Sequence, residues 1–436
     1  MKFGISKEVI TPIKPMKLAC SGVFEKDFTY IHDDVYVRCL VVDDGANKAV
    51  FMSFDLLFHD RTLNNAVEVY AKDKYNISPS AVIISYTHSH PAPASRGYNP
   101  GAHDVEYEEL LLSRAKSCLD RAMCSMFEGT FEYGTFDADF NISRRALLED
   151  GKYHNAPNYN YPHDTEFTVM CIRDTVGDVR SVVMNYPCHP VFYPTRDSVS
   201  GEFPARLCQL IDAKYYGCIS LYFQSTAGDV RPRPTAGKSD DGRDVWKGGL
   251  TFSDVDKFAK SICESVCEFI EENKCEKLLL SLASDDFEIE LEIDPQPLEV
   301  FENMMKMHDV SGIWNPNVNN ANYILNGGYD ELPNSMMLHC QTLRLTDNLY
   351  IATVGGEPCF GVKKAVAEAF KDKKICFIGY TDACAYVVDD KILSEGGYEA
   401  TCHNEYRHKG PFKAGLDKLY KESFEESFKR ILKAAK

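Results

Sequence analysis

Two kinds of apolar pattern alternate along the chain. Short runs dense in Val, Ile, Leu and Phe recur at Tyr36 to Val42, Ala49 to Asp55, Ala81 to Thr87, Phe167 to Ile172, Ser181 to Tyr186, Cys218 to Gln224, Leu349 to Val354 and Lys374 to Tyr380. Several are almost continuously apolar, which predicts strands covered on both faces. Longer amphipathic stretches predict helices at Tyr107 to Phe127, Glu202 to Ala213, Phe252 to Glu272 and Cys359 to Lys371, with a charged one at Lys413 to Ala434. This alternation implies an α/β fold, a mixed β-sheet covered by helices. Two stretches interrupt it. Arg231 to Gly249 is rich in Pro, Gly and charge, and Ile313 to Pro333 carries Asn-Pro-Asn, Asn-Asn and Gly-Gly; both read as loops. The first either divides two domains or is an internal excursion. Similar strand-like segments flank it, so the expectation is one domain over 1–436 with an excursion at 231–249.

Charge and cysteine content narrow the partners. Lys plus Arg is 48 against 65 for Asp plus Glu, a net −17, and no long basic run interrupts the acidity, which speaks against nucleic acid and anionic membranes. Sixteen cysteines suggest a disulfide framework, but the opening Met-Lys-Phe-Gly-Ile-Ser-Lys has no export-signal pattern and most cysteines sit in apolar runs. Reduced thiols and a cytoplasmic location are expected. No apolar run reaches the roughly 18 residues of a membrane span, so no transmembrane segment is expected.

Candidate chemistry collects where the apolar runs end. Ala81-Val-Ile-Ile-Ser-Tyr-Thr-His-Ser-His-Pro leads a buried strand into two histidines one residue apart. If the strand continues, its period of 2 puts His88 and His90 on one face, at the sheet edge where α/β proteins gather ligands. Ser181-Val-Val-Met-Asn-Tyr-Pro-Cys-His-Pro ends in His189, and Leu349-Tyr-Ile-Ala-Thr-Val-Gly-Gly-Glu-Pro in Glu357. Pro358 would start a helix, leaving Glu357 at its N-terminus. Two histidines and a carboxylate from separate strands make a three-ligand catalytic zinc set with room for water or substrate. The other histidines, His32, His59, His308, His403 and His408 among them, offer no better set.

These residues resemble those of the neutral/alkaline, non-lysosomal ceramidases, whose amidase domain hydrolyses N-acylsphingosine with one zinc ion. Gly4-Ile-Ser-Lys-Glu-Val-Ile-Thr-Pro is similar to the family's opening, Thr87-His-Ser-His to its Thr-His-Thr-His, and Asn185-Tyr-Pro-Cys-His-Pro to the stretch bearing its second ligand histidine. Gly356-Glu357-Pro358 resembles its Pro-Gly-Glu, and Tyr386 and Tyr398, twelve residues apart, its two-tyrosine segment. Asn141-Ile-Ser-Arg-Arg stands where the family has Asn-Arg-Ser. The resemblance implies His88, His189, Glu357 and Tyr386 as zinc ligands and His90 as their catalytic neighbour. It further implies Tyr398 facing the substrate carbonyl, and Arg144 or its neighbour Arg145 as the cation beside the acyl oxygen.

The pattern departs from the family in three places. Gly228-Asp-Val-Arg-Pro places Arg231 where ceramidases have their active-site serine. The C-terminal immunoglobulin-like domain has no counterpart after the tyrosine segment, and no export signal is seen. The expectation is therefore a zinc-dependent hydrolase of an amide (N-acyl) bond, acting on a small soluble or lipid-like molecule that need not be ceramide. Arg231 would either clamp a carboxylate or phosphate of that substrate or pair with Asp229 or Glu202 and shape the loop. The alternatives are the same zinc site acting on an ester, and a metal- or ligand-binding protein without catalysis.

Overall fold

The computed structural model describes residues 1–19, 27–96, 104–194, 197–307, 316–382, 385–401 and 408–434; His308, His403 and residues 313–315 of the expected second loop lie outside them. A nine-stranded mixed sheet forms its centre. Eight strands run in the spatial order Leu221–Gln224, Val179–Tyr186, Glu166–Asp174, Phe127–Asp137, Lys2–Val9, Tyr36–Asp43, Lys48–Phe54 and Val82–Tyr86, and Glu276–Leu278 pairs beside Phe127–Asp137. Both edge pairs are parallel: Val183 lies opposite Leu221, and Val50 opposite Val82.

A second sheet, Ala283–Glu292, Ser335–Thr346, Leu349–Val354 and Lys374–Ile378, packs on the first. Leu343, Leu345, Leu349 and Ile351 share one core with Leu40, Val42, Phe51 and Phe223 of the large sheet. Helices Val105–Cys124, Glu202–Lys214 and Phe252–Glu271 cover the outer face of the large sheet. Phe360–Phe370 and Leu416–Ala434 cover the outer face of the small one, where Val362, Val366, Tyr420 and Phe424 meet Leu338, Cys340 and Ala352. Four layers result, and strands inside such a stack are dry on both sides, which is why Val82–Tyr86 and Leu349–Val354 are buried throughout. No helix among the described residues is long and apolar enough to cross a membrane.

Two expectations about local structure change. The stretch expected as a second loop contains the helix Pro316–Leu325. Val318, Ala321 and Ile324 recur every third residue within its asparagines, and Ala321 and Ile324 pack with Phe301 of Leu298–Met307 in a small core of their own. The 231–249 excursion is not structureless: Ala236–Lys238 and Asp244–Trp246 pair as a hairpin, and Val230–Pro232 adds to Asn141–Leu147.

The large sheet curls until its edge strands meet. The Gln224 side-chain amide donates to the Thr87 carbonyl at 3.0 Å. The turn after Lys374–Ile378 sits between the two edges: Gly379 N donates to Gln224 O at 2.9 Å, and Tyr86 N to Tyr380 O at 3.0 Å. The carboxyl ends of five strands from both sheets are thereby drawn together.

Candidate metal centre

Each of those strand ends delivers a group to one buried spot. The Val82–Tyr86 strand stops before the histidines, so His88 and His90 are not strand neighbours with a common face as expected. His88 instead adopts a left-handed backbone, φ 64°, and its ring is clasped between Phe58 and Tyr380, each centred 4.6 Å away. The rings of His90 and His189 stand 4.9 and 4.5 Å from it, both nearly perpendicular. Glu357 arrives from the second sheet. It is not at a helix N-terminus: Glu357–Pro358 forms a short parallel pair with Tyr386–Val387, Glu357 opposite Tyr386, and the helix begins at Phe360. Gly356 makes the turn before it at φ 68°, and Gly228 packs so close that a Cβ there would lie 2.6 Å from the Glu357 carbonyl oxygen.

The hydrogen bonds set the tautomers. Nδ1 of His88 lies 3.1 Å from the Leu57 carbonyl and Nδ1 of His189 3.1 Å from that of Ala227. A carbonyl only accepts, so both Nδ1 atoms carry a proton, and Nε2 is the atom each ring has left to offer a metal. His88 Nε2 is 3.3 Å from Glu357 Oε2, and His189 Nε2 is 3.0 Å from His90 Nε2. His90 is held differently: its Nδ1 meets the Tyr193 hydroxyl at 2.6 Å, a partner that can donate or accept. Burial, reinforced by the other imidazoles and by Arg144, holds His90 and His189 well below the ordinary histidine range, so neutral rings face one another.

Ligand atoms of His88, His90 and His189 lie within 4.8 Å of one another, so these three can hold a metal ion. Donors around a tetrahedral zinc at about 2.0–2.1 Å stand about 3.3 Å apart, the scale of the spacings seen here. Imidazoles fixed through Nδ1 beside one buried carboxylate are a donor set that fits a borderline-soft divalent ion such as zinc.

The remaining predicted residues form a second tier. Arg144 lies 5.1 and 5.3 Å over the rings of Tyr386 and Tyr398, which meet edge-on at 5.4 Å. Its Nε donates to Glu399 Oε1 at 2.8 Å, while Nη2 is buried with no hydrogen-bond partner. Arg145 binds the other oxygen of Glu399 at 2.6 Å, but as the next residue along the strand it turns to the opposite face, between Tyr153 and Tyr161, so of the two arginines Arg144 is the one on the site's side. Arg231 pairs with neither expected acid. Asp229 accepts from Phe360 N, and Glu202 from the backbone of Phe192 and Tyr193.

Tyr193 and Tyr380 carried no signal in the sequence, because each is a lone tyrosine in a loop and both reach the site through positive φ, 50° and 58°. Glu202 underpins Tyr193, and its effect is measurable. Burial pushes its carboxyl up to about 7, against the pull of the Tyr193 and Phe192 N–H groups. An unfolded glutamate titrates near 4.3. The folded state therefore holds this proton more tightly and loses stability as pH rises from about 4.5 through 7. Glu202→Gln removes the titration, so its stability relative to the wild type should improve between about pH 5 and pH 8, by up to about 3 kcal/mol in paired urea melts. Parallel pH profiles in the two proteins would show that Glu202 is not that group.

No protein-family model matches the chain, and no curated protein matches it by sequence. Solved structures do match in shape. A ceramidase complexed with C2 superposes with a TM-score of 0.74 at 15% identity, over 99% of this chain and 75% of its own. Neutral ceramidase from Pseudomonas aeruginosa gives 0.71 at 15% identity, over 98% and 73%. The chain has the neutral ceramidase fold. In that ceramidase-like frame the three-histidine cluster lies where the strand ends of the two sheets meet.

Proposed function

We propose that the chain is a zinc-dependent amidohydrolase that cleaves an N-acyl bond. His88, His189, Glu357 and Tyr386 would hold the ion, His90 would move the proton, and Tyr398 and Arg144 would receive the acyl oxygen. What carries this is the pair of buried imidazoles whose Nδ1 atoms are committed to backbone carbonyls, with His88 Nε2 left 3.3 Å from Glu357 and His189 Nε2 left 3.0 Å from His90 Nε2 in one cluster able to hold an ion. The ceramidase-like fold supports the amide as the bond cleaved.

Zinc in such a site supplies a Lewis acid and lowers the pKa of a bound water to about 7. His90 suits proton transfer because its Nδ1 partner is a hydroxyl. For Nε2 to take the proton of the attacking water, Nδ1 must carry the ring's own proton, and the Tyr193 hydroxyl accepts from it and steadies the imidazolium that forms. The water oxygen forms the new C–O bond, the C–N bond breaks, and His90 returns its proton to the departing nitrogen. Arg144, with a buried Nη2 free of partners, can donate to the oxygen on which charge develops, an interaction worth roughly 3–4 kcal/mol per well-placed donor.

A second assignment has its own observation: His90 Nε2 lies 3.0 Å from His189 Nε2, within range of a third nitrogen ligand. Metal analysis separates the two. The wild type should carry about one zinc per chain, lose hydrolysis of short N-acyl substrates to a chelator and regain it with zinc. His90→Ala should keep the metal and lose about 10²–10⁴-fold in rate. Loss of metal from His90→Ala would make His90 a ligand, and a wild type that neither carries nor responds to metal would reject the hydrolase.

A further inference from the structure

Arg231 lies in Val230–Pro232 beside Asn141–Leu147, opposite Ile142. Arg144 N bonds to Asp229 O in the same ladder, so Arg144 and Arg231 are diagonal neighbours on one face, about 7–8 Å apart at their base. The 231–249 excursion folds back and lays the indole of Trp246 against the Arg231 guanidinium, 4.3 Å from its centre. Trp246 is itself tied down, its Nε1 donating to the backbone and side-chain oxygens of Asn155 at 3.0 and 2.9 Å. Of the guanidinium donors, Nη2 binds the Val191 carbonyl at 3.1 Å, and Nε is buried without a partner.

Arg231 makes no ion pair among the described residues, and the charge nearest it in effect is another cation: Arg144 and burial together depress it to about 10. Arg144 is balanced by Glu399, but no carboxylate among the described residues lies within ion-pair distance of Arg231, and a buried guanidinium donor left unfilled is costly. A flat guanidinium fixed on an indole presents its edge in the plane that a carboxylate matches with two parallel hydrogen bonds.

The side of the substrate follows from His90. Arg231 Nη2 is bonded to the Val191 carbonyl, midway between His189 and Tyr193 along the chain, and the Tyr193 hydroxyl meets His90 Nδ1 at 2.6 Å, which places Arg231 on the side of the group that hands a proton to the departing amine. Resting on the hydrolase reading for the position of that leaving group, we infer that Arg231 on its Trp246 platform is a carboxylate-binding subsite and that the substrates are N-acyl amino acids, the amine half bearing the carboxylate.

The test is equilibrium binding to chelator-treated protein, where no turnover occurs, with N-benzoylglycine, its carboxamide N-benzoylglycinamide, its phosphonate analogue, and a dicarboxylic acid half-amide whose carboxylate lies on the acyl side. N-benzoylglycine should bind at least ten-fold more tightly than each of the other three. In Arg231→Met, shown by its thermal melt to be folded, and in Trp246→Ala, the preference over the carboxamide should shrink to within two- to three-fold. Equal binding of acid and carboxamide, an undiminished preference in Arg231→Met, or tighter binding of the phosphonate or the half-amide would overturn the assignment. A protein that binds with this selectivity and never hydrolyses would overturn only the hydrolase. Hydrolysis of N-acyl substrates indifferent to the carboxylate would overturn only the subsite.

Discussion

Replacing His189 with alanine should strip the protein of metal and of hydrolysis together, with His88→Ala doing the same. Both side chains are buried, and each has its Nδ1 proton committed to a carbonyl, so each ring is oriented to give the ion its Nε2. Loss of the outer partners of a metal-bound histidine typically costs about 10–100-fold in affinity, and removing the ring should exceed about 100-fold. Metal content by mass spectrometry and single-turnover hydrolysis of an N-acyl substrate give the two readings. Full metal occupancy in His189→Ala would place the ion elsewhere.

The largest effect on stability should come from Glu399. Its two oxygens hold Arg144 and Arg145, 3% and 1% exposed. Their guanidinium groups stack on Tyr386 and Tyr398 on one side and on Tyr153 and Tyr161 on the other. Removing one partner of a buried ion pair leaves charge in a medium that cannot solvate it, at about 3–5 kcal/mol. Glu399→Ala strands Arg144, leaves Arg145 with Glu395 at 3.1 Å, and should cost several kcal/mol within that range in denaturant melts, while also releasing Arg144 from its place over the tyrosines. Glu399→Gln keeps an acceptor and should lose less. A Glu399→Ala melt within about 1 kcal/mol of the wild type would mean that the arginines find solvent.

Much of the scaffold was legible from residues alone, because the large sheet buries its strands on both faces and burial writes itself as continuous apolar runs. Lys2–Val9, Phe127–Asp137, Ser335–Thr346 and Ala283–Glu292 were not legible as such runs; the last carries its signal as alternation, with Ile289 and Leu291 inward and Glu288, Glu290 and Glu292 outward. The helix at 316–325 hid three apolar residues among asparagines, and propensity yielded there to packing against Phe301. Around the site, histidines and a glutamate at strand ends could be read as candidates, but not the reasons they meet. His88 turns inward through a backbone conformation that histidine seldom takes, and Glu357 is aligned with Tyr386 by a two-residue parallel pair. The choice between Arg144 and Arg145, neighbours on one strand, depends on which face of that strand turns toward the site, and an Arg-Arg pair alone does not reveal it.

The carbonyls and rings that define the centre, from Leu57, His88, His189, Ala227 and Glu357, come from segments that meet only once the curled sheet has brought its margins together. An unfolded chain has no such pocket, so an ion captured there acts as a rivet between distant parts of the polypeptide. Each tenfold excess of ion over its dissociation constant then adds about 1.4 kcal/mol to the resistance of the whole chain to unfolding.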